Sequence, residues 1–187
     1  MKRLLSAVTL AVVAALALAA CGSDSGSSTS SSRFNDADVT FAQSMIPHHQ
    51  QAVEMAKSAQ MHASSPEVKQ LADKVEAAQG PEIATMTGWL NAWDEDVPSE
   101  SGMDHDMGHG SMPGMMSDDD MKALDAATGA KFDRMFLTMM IEHHSGAIEM
   151  AKTEQADGEN PDAVALAKKI EADQTAEIAT MRDLLKF

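Results

Sequence analysis

The 187-residue chain contains one cysteine, Cys21. A single cysteine cannot close an intrachain disulfide, and it provides no set of thiolates that could hold a metal ion. We therefore expect the fold to be stabilised by packing, and we expect any metal site to use ligands other than thiolates.

Positive charge is also scarce, since 14 lysine and arginine residues stand against 29 aspartate and glutamate residues. The formal net charge is −15, and removal of Lys2 and Arg3 with an N-terminal segment would make it more negative. A chain this acidic is repelled by the phosphate backbone of nucleic acids. Nucleic acid is therefore excluded as the expected partner.

The N-terminus has the layout of an export signal. Lys2 and Arg3 precede an apolar run, and we interpret residues 1–20 as a signal peptide. Small residues followed at once by Cys21 resemble a bacterial lipobox, which predicts an extracytoplasmic protein that a lipid on Cys21 anchors to the outer face of the membrane. Residues 21–33 are rich in serine and glycine and predict a flexible tether. The alternative is ordinary signal cleavage that leaves Cys21 as a free thiol.

An internal repeat dominates the rest of the sequence. Residues 41–90 align without a gap with residues 136–185, at a constant offset of 95. Both copies contain the string His-His-x-x-Ala-x-Glu-Met-Ala-Lys, which starts at His48 and at His143. A duplicated unit of this kind packs against its own copy. Any site between the copies is therefore expected to be nearly two-fold symmetric.

The residue pattern predicts an all-α protein, an antiparallel four-helix bundle built from two duplicated hairpins. No segment alternates strictly between apolar and polar residues, so strands are not expected. Apolar residues from Phe41 onward recur on one face of a helix over residues 36–60. We place the bundle in residues 34–187, with a linker rich in methionine and histidine at about residues 97–117.

Capping residues and prolines mark where the helices begin and bend. Pro47 and Pro81 lie inside helical patterns, where each removes a backbone hydrogen bond and predicts a kink. The predicted helix starts are at the N-cap residues Asn35, Ser65, Ser117 and Asn160.

The linker between the copies combines glycine and proline with methionine and histidine, so hydrophobic packing does not explain its methionines. Thioether sulfur is a soft ligand that suits Cu(I), and imidazole suits both Cu(I) and Cu(II). This pattern predicts a copper site that favours Cu(I), with Cu(II) as the second oxidation state. The alternative is a disordered acidic linker with incidental methionines. The candidate ligands are Met103, His105, Met107, His109, Met112, Met115 and Met116.

The paired histidines are the second candidate metal site. Neighbouring helix positions point about 100 degrees apart, so we expect His48 and His143 to face the core and His49 and His144 to lie at its edge. Methionines lie four residues before His49, His143 and His144, a spacing that puts a thioether beside an imidazole. The alternative is that the histidines are hydrogen-bonded core residues without a ligand. The adjacent methionines are Met45, Met139 and Met140.

The second helix of each copy provides candidate partners for the histidines. Gln79 and Gln174 fall on the apolar face, so we expect their amides to hydrogen-bond the inward imidazoles. Glu82 and Glu177 are expected to be solvated charges at the edge of the bundle.

These histidine, methionine and glutamine positions, found twice, resemble the bacterial family catalogued as domain of unknown function 305. The resemblance covers nearly everything after residue 33. It implies a ferritin-like fold and exported proteins linked to copper binding and copper tolerance, but it assigns no reaction. The positions that carry over are the two histidine pairs, with Met45, Met55, Met140 and Met150.

The sequence thus favours an extracytoplasmic lipoprotein that sequesters copper or delivers it to a copper-accepting protein. A metal-dependent oxidoreductase is one alternative, although the third residue after Glu76 and Glu171 is glutamine rather than the histidine of di-iron carboxylate sites. A structural or interaction lipoprotein with methionines as core filler is the other. Metal stoichiometry, the choice among copper, silver and zinc, and the oligomeric state stay open.

Overall fold

A computed structural model describes residues 33–98 and 112–186. Within these ranges the chain is helical and contains no strand, which confirms the predicted all-α class. The helices are α1 (Asp36–His62), α2 (Pro66–Trp93), α3 (Asp118–Asp125), α4 (Gly129–Asp157) and α5 (Pro161–Leu184).

Four long helices form the bundle as two hairpins. α1 packs along α2, α4 packs along α5, and α1 meets α4 where the hairpins join. Three-residue turns connect the helices within each hairpin, so neighbouring helices run antiparallel. The seam between α1 and α4 brings the two copies of the histidine motif together. None of the described helices is both long enough and apolar enough to cross a membrane.

The long helices begin where the sequence predicts, except α4. The side chains of Asn35, Ser65 and Asn160 accept hydrogen bonds from the first turns of α1, α2 and α5. α1 continues through Pro47, and α2 continues through Pro81.

The helix predicted after Ser117 is interrupted, which corrects the expectation of one uninterrupted helix. Ser117 does cap a helix, but α3 ends at Asp125 after eight residues. The backbone then turns, and α4 begins at Gly129 with φ 64°. Because glycine adopts positive φ without steric cost, Gly129 allows this change of direction at the start of α4.

In each hairpin, an aspartate side chain accepts hydrogen bonds from the loop of the other hairpin. Asp38 of α1 accepts backbone N–H bonds from Glu159 and Asn160, at 3.2 and 2.9 Å. Asp133 of α4 accepts backbone N–H bonds from Ser64 and Ser65 at 2.9 and 3.1 Å. The repeat offset of 95 relates these two sets of residues. The duplicated aspartates therefore hold the two hairpins together at both ends of the seam.

One carboxyl group breaks this symmetry. Glu154 is buried beside Asp38, whereas the equivalent position in the first copy is Ala59. Burial and the neighbouring Asp38 carboxylate raise the pKa of Glu154 to about 8. Burial opposes ionisation of Asp38 too, but its interaction with Glu154 and its hydrogen bonds from backbone N–H groups lower its pKa. Glu154 is thus the member of the pair that keeps its proton, although neither of its carboxyl oxygens makes a hydrogen bond in the structure.

We expect Glu154→Gln to remove a pH dependence of stability. In the folded protein Glu154 keeps its proton up to about pH 8, whereas its usual pKa is 4.5. The folded state therefore binds the extra proton across this window, so its contribution to the free energy of unfolding falls as pH rises from 4.5 to about 8. Glutamine does not ionise, so the variant lacks this contribution at every pH. Urea unfolding at pH 5 and 8 measures the change.

Glu149→Gln, on the exposed face of the same helix, is the control and should leave the wild-type difference between the two pH values unchanged. An equal pH dependence in wild type and Glu154→Gln would contradict the raised pKa of Glu154.

Candidate functional site

The two histidine pairs meet inside the seam between α1 and α4. The ring centroids of His48 and His143 lie 3.7 Å apart, and their planes are inclined by 36°. All four side chains are fully buried, including His49 and His144. This corrects the expectation that one histidine of each pair lies at the edge of the core. The edge positions are buried because side chains from α2 and α5 cover them.

Glutamates provide that cover, and they do so symmetrically. The Nε2 of His49 lies 2.9 Å from Glu82 Oε2, and the Nε2 of His144 lies 2.6 Å from Glu177 Oε2. Glu82 also accepts from Lys169 at 2.9 Å. Both glutamates were expected to be solvated, and that expectation is wrong. A buried imidazole N–H needs an acceptor, and a carboxylate one helix away makes a charge-assisted bond.

The glutamines do not take the role that the sequence indicates. Gln79 and Gln174 are buried, as their place on the apolar face predicts. Both polar side-chain atoms of Gln79 and the Oε1 of Gln174 lack a hydrogen-bond partner, so the expected bonds to the inward imidazoles are not formed. The carboxylates three residues later in each helix hold His49 and His144 instead.

Burial keeps His48, His49 and His143 uncharged. Desolvation and, to a lesser extent, proximity to His49 lower the pKa of His48 to about 3, although a bond to the Pro113 carbonyl opposes the shift. Desolvation is also the largest cause that lowers the pKa of His49, despite Glu82, and it lowers the pKa of His143 well below 6.5. Neutral imidazole is the form that binds metal ions.

The hydrogen bonds fix which ring nitrogen carries the proton. The Pro113 carbonyl accepts from His48 Nε2 at 3.0 Å, because a carbonyl oxygen can only accept. His49 and His144 likewise donate from Nε2 to their glutamates. The Nδ1 atoms of these three rings, together with both nitrogens of His143, have no hydrogen-bond partner. Three buried Nδ1 atoms, those of His48, His49 and His144, are therefore left without a hydrogen-bond partner.

A short non-helical segment covers the cluster. Residues 112–117, which we call the strap, cross the seam after the linker. Besides the Pro113 bond to His48, the backbone of Met116 pairs with the side chain of Gln51 at 2.8 and 2.9 Å. Met112 and Met115 are half-buried, whereas Met116 packs into the core.

The methionines predicted beside the histidines belong to the packed interior. Met45 and Met140 are fully buried and occupy the two core clusters, and Met139 packs against one of them. Across residues 33–98 and 112–186, no three side chains of the histidine, cysteine, aspartate and glutamate types are arranged to hold one metal ion. Cys21, Met103, His105, Met107 and His109 lie outside the described residues.

Sequence reasoning gave Glu82 and Glu177 the wrong role and did not identify Gln51 or Pro113. The repeat carried a signal for the glutamates, because both copies place a glutamate 33 residues after the last histidine of the pair. No comparable signal marks Gln51 or Pro113, since a contact between a loop and a helix leaves no periodicity.

Comparison with known proteins gives a consistent result. The sequence profile of a family described as Domain of unknown function (DUF305) matches residues 38–185. A crystal structure of a DUF305 protein from Streptomyces coelicolor is 34% identical, with coverage of 80% of this chain and 92% of that chain and a TM-score of 0.70. No curated protein sequence matches the chain.

Two structures of the protein CopM are also similar. CopM in its Cu(II)-bound form is 37% identical, with coverage of 80% of this chain and 95% of that chain and a TM-score of 0.69. CopM in its Cu(I)-bound form is 33% identical over the same shares of the chains, with a TM-score of 0.66.

We expect nitrogen-15 NMR of the imidazoles to show the Nε2–H tautomer at His48, His49 and His144. Glu82→Ala should speed solvent exchange of the Nε2 proton of His49 because the acceptor is lost, and it should leave His144 unchanged because Glu177 remains. Glu177→Ala should do the reverse, so each copy serves as the control for the other. An Nδ1–H tautomer at His49 or His144 would contradict the assignment.

Proposed function

The chain belongs to the DUF305 family, and on that premise we propose that it binds copper at the histidine cluster of the α1–α4 seam. The observation that carries the proposal is the buried contact between His48 and His143, 3.7 Å between centroids, with Nδ1 atoms that have no hydrogen-bond partner. Buried polar atoms are normally hydrogen-bonded. Unsatisfied imidazole nitrogens from both copies therefore support a role as metal ligands.

The state of the histidines fits copper. Neutral imidazole suits Cu(I) and Cu(II), and a carboxylate that accepts the other ring N–H orients a ligating histidine and increases its basicity. Glu82 and Glu177 stand in that relation to His49 and His144. The similar CopM structures carry Cu(II), Cu(I) and Ag, which supports the same class of ion for this chain.

The linker supports a second part of the proposal. Met103, His105, Met107 and His109 precede the strap, which contacts His48 through Pro113. Thioethers and imidazoles in this segment would capture Cu(I), and the strap would bring the captured ion to the histidine cluster. Copper is here the cargo that the protein sequesters or delivers to an accepting protein.

The N-terminal sequence supports a location for this activity. We infer that residues 1–20 direct export and that a lipid on Cys21 anchors the protein to the outer face of the membrane. The net charge of −15 would attract copper cations to the bundle.

A competitive titration with Cu(I) and a chelator tests the copper proposal. We expect the double variant His48→Leu with His143→Leu to lower the affinity for Cu(I) at least about tenfold. Loss of a carboxylate that supports a ligating histidine costs about this much, and loss of the histidine itself should cost at least as much. A second variant replaces Met103, His105, Met107 and His109 with serine and leaves the strap intact. We expect it to lose the linker sites but to keep the histidine site.

His62→Leu is the matched control, because His62 lies at the end of α1 away from the cluster. Wild-type affinity in both test variants would contradict copper binding at these sites.

Membrane fractionation tests the location. Cys21→Ser should move the protein from the membrane fraction to the soluble fraction, because serine cannot carry the thioether-linked lipid. Replacement of Ser23 by alanine leaves the cysteine in place and should not change the distribution. Equal membrane association of wild type and Cys21→Ser would contradict the lipid anchor.

A further inference from the structure

We propose that the strap is a gate over the His48–His143 pair and that Gln51 holds it closed. The gate deepens the copper function proposed above and rests on it for the identity of the ligand. Copper cannot reach a fully buried pair of rings unless the segment that covers them moves.

The closed position depends on one side chain of α1. Gln51 is 7% exposed, its Nε2 donates to the Met116 carbonyl at 2.9 Å, and its Oε1 accepts from the Met116 N–H at 2.8 Å. This satisfies the backbone polar groups of a buried residue in a segment that has no helix or strand of its own. Gln51 therefore acts as a latch for the strap.

The strap also accepts a hydrogen bond from one ring nitrogen of the cluster. The Pro113 carbonyl accepts from His48 Nε2 at 3.0 Å, whereas both ring nitrogens of the paired His143 lack partners. The two symmetric histidines thus differ because the strap bonds only one of them. Movement of the strap would free His48 and make the pair equivalent.

Two glycines let the strap lie against the backbone of α4. Gly114 has φ 76°, and a Cβ there would approach the Glu142 carbonyl oxygen to 2.6 Å. A Cβ on Gly146 would overlap the Pro113 carbonyl group and approach Gly114 N to 2.7 Å. Any side chain at position 146 therefore forces the strap away from α4, while the helix itself can accept an alanine.

The repeat shows that these positions serve the strap. The offset of 95 relates Gln51 to Gly146, next to the matched residues Ala52 and Ala147. The first copy has Gln51, which hydrogen-bonds the strap, and the second copy has Gly146, which leaves room for it. Because the strap crosses the two-fold seam only once, it makes different contacts with the two copies. The residues at this position differ between the copies for that reason.

Two variants open the gate in different ways, and each has a matched control. Gln51→Leu removes the latch, and Gly146→Ala removes the space. Gln60→Leu removes a glutamine of the same helix that bonds a backbone carbonyl elsewhere, and Gly88→Ala adds a Cβ that meets nothing within 4 Å. Alanine favours helix, so a greater reactivity in Gly146→Ala cannot come from a weakened α4.

The experiment measures access in two ways on the purified full-length protein. Diethyl pyrocarbonate acylates neutral imidazole, and peptide mass spectrometry gives the rate at each histidine, with His62 as the internal standard. Stopped-flow mixing with a Cu(I)–chelator complex gives the rate of copper uptake. We expect Gln51→Leu and Gly146→Ala to raise the acylation rate of His48 and His143 by about 10- to 100-fold, as loss of two buried hydrogen bonds implies.

Copper uptake should accelerate in parallel, and both controls should stay within about twofold of wild type. Acylation of His48 at the wild-type rate in both variants would overturn the gate, and so would faster acylation with unchanged copper uptake. Faster acylation in a protein that binds no copper in any variant would support the gate and overturn the copper function instead.

Discussion

The structure depends on the burial of four imidazoles in one seam. Burial disfavours the charged form of His48, His49 and His143, and a buried ring N–H is stabilised by an acceptor inside the protein, which His143 alone among the four lacks. Glu82 on α2 and Glu177 on α5 provide it for His49 and His144. This need for a hydrogen-bond acceptor therefore helps to fix how α2 packs against α1 and how α5 packs against α4. It also explains why a loop carbonyl is held over His48, since no equivalent glutamate reaches that ring.

Duplication provides two equal halves, and the departures from symmetry occur where a single element meets both. The strap crosses the seam once, so Gln51 and Gly146 differ. At the end of the seam, Asp38 and Asp133 repeat the same cap, but only the second copy adds a buried carboxyl group, Glu154.

Local signals made most of the fold predictable. N-caps place the starts of α1, α2 and α5 correctly, and the repeat identifies both histidine motifs, because these features depend on neighbours in sequence. The start of α4 and the burial of His49 and His144 were not predicted. The site was predictable only in part. Gln79 was preferred to Glu82 because it lies on the apolar face, but a long carboxylate side chain reaches the histidine from the edge of that face. The break before Gly129 and the docking of the strap arise from tertiary contacts, which periodicity does not encode.

Charge balance links this geometry to the proposed cargo. Neutral imidazoles alone would leave a bound Cu(I) ion uncompensated in a medium of low polarity, and such a charge is costly. The two carboxylates lie one hydrogen bond behind the ring nitrogens, where they would offset the charge of a bound ion without binding it. Glu82 also pairs with Lys169, whereas Glu177 has no lysine or arginine partner among the ion pairs of the described residues. On the proposed function, compensation is therefore greatest on the side of His144, opposite the histidine that the strap holds.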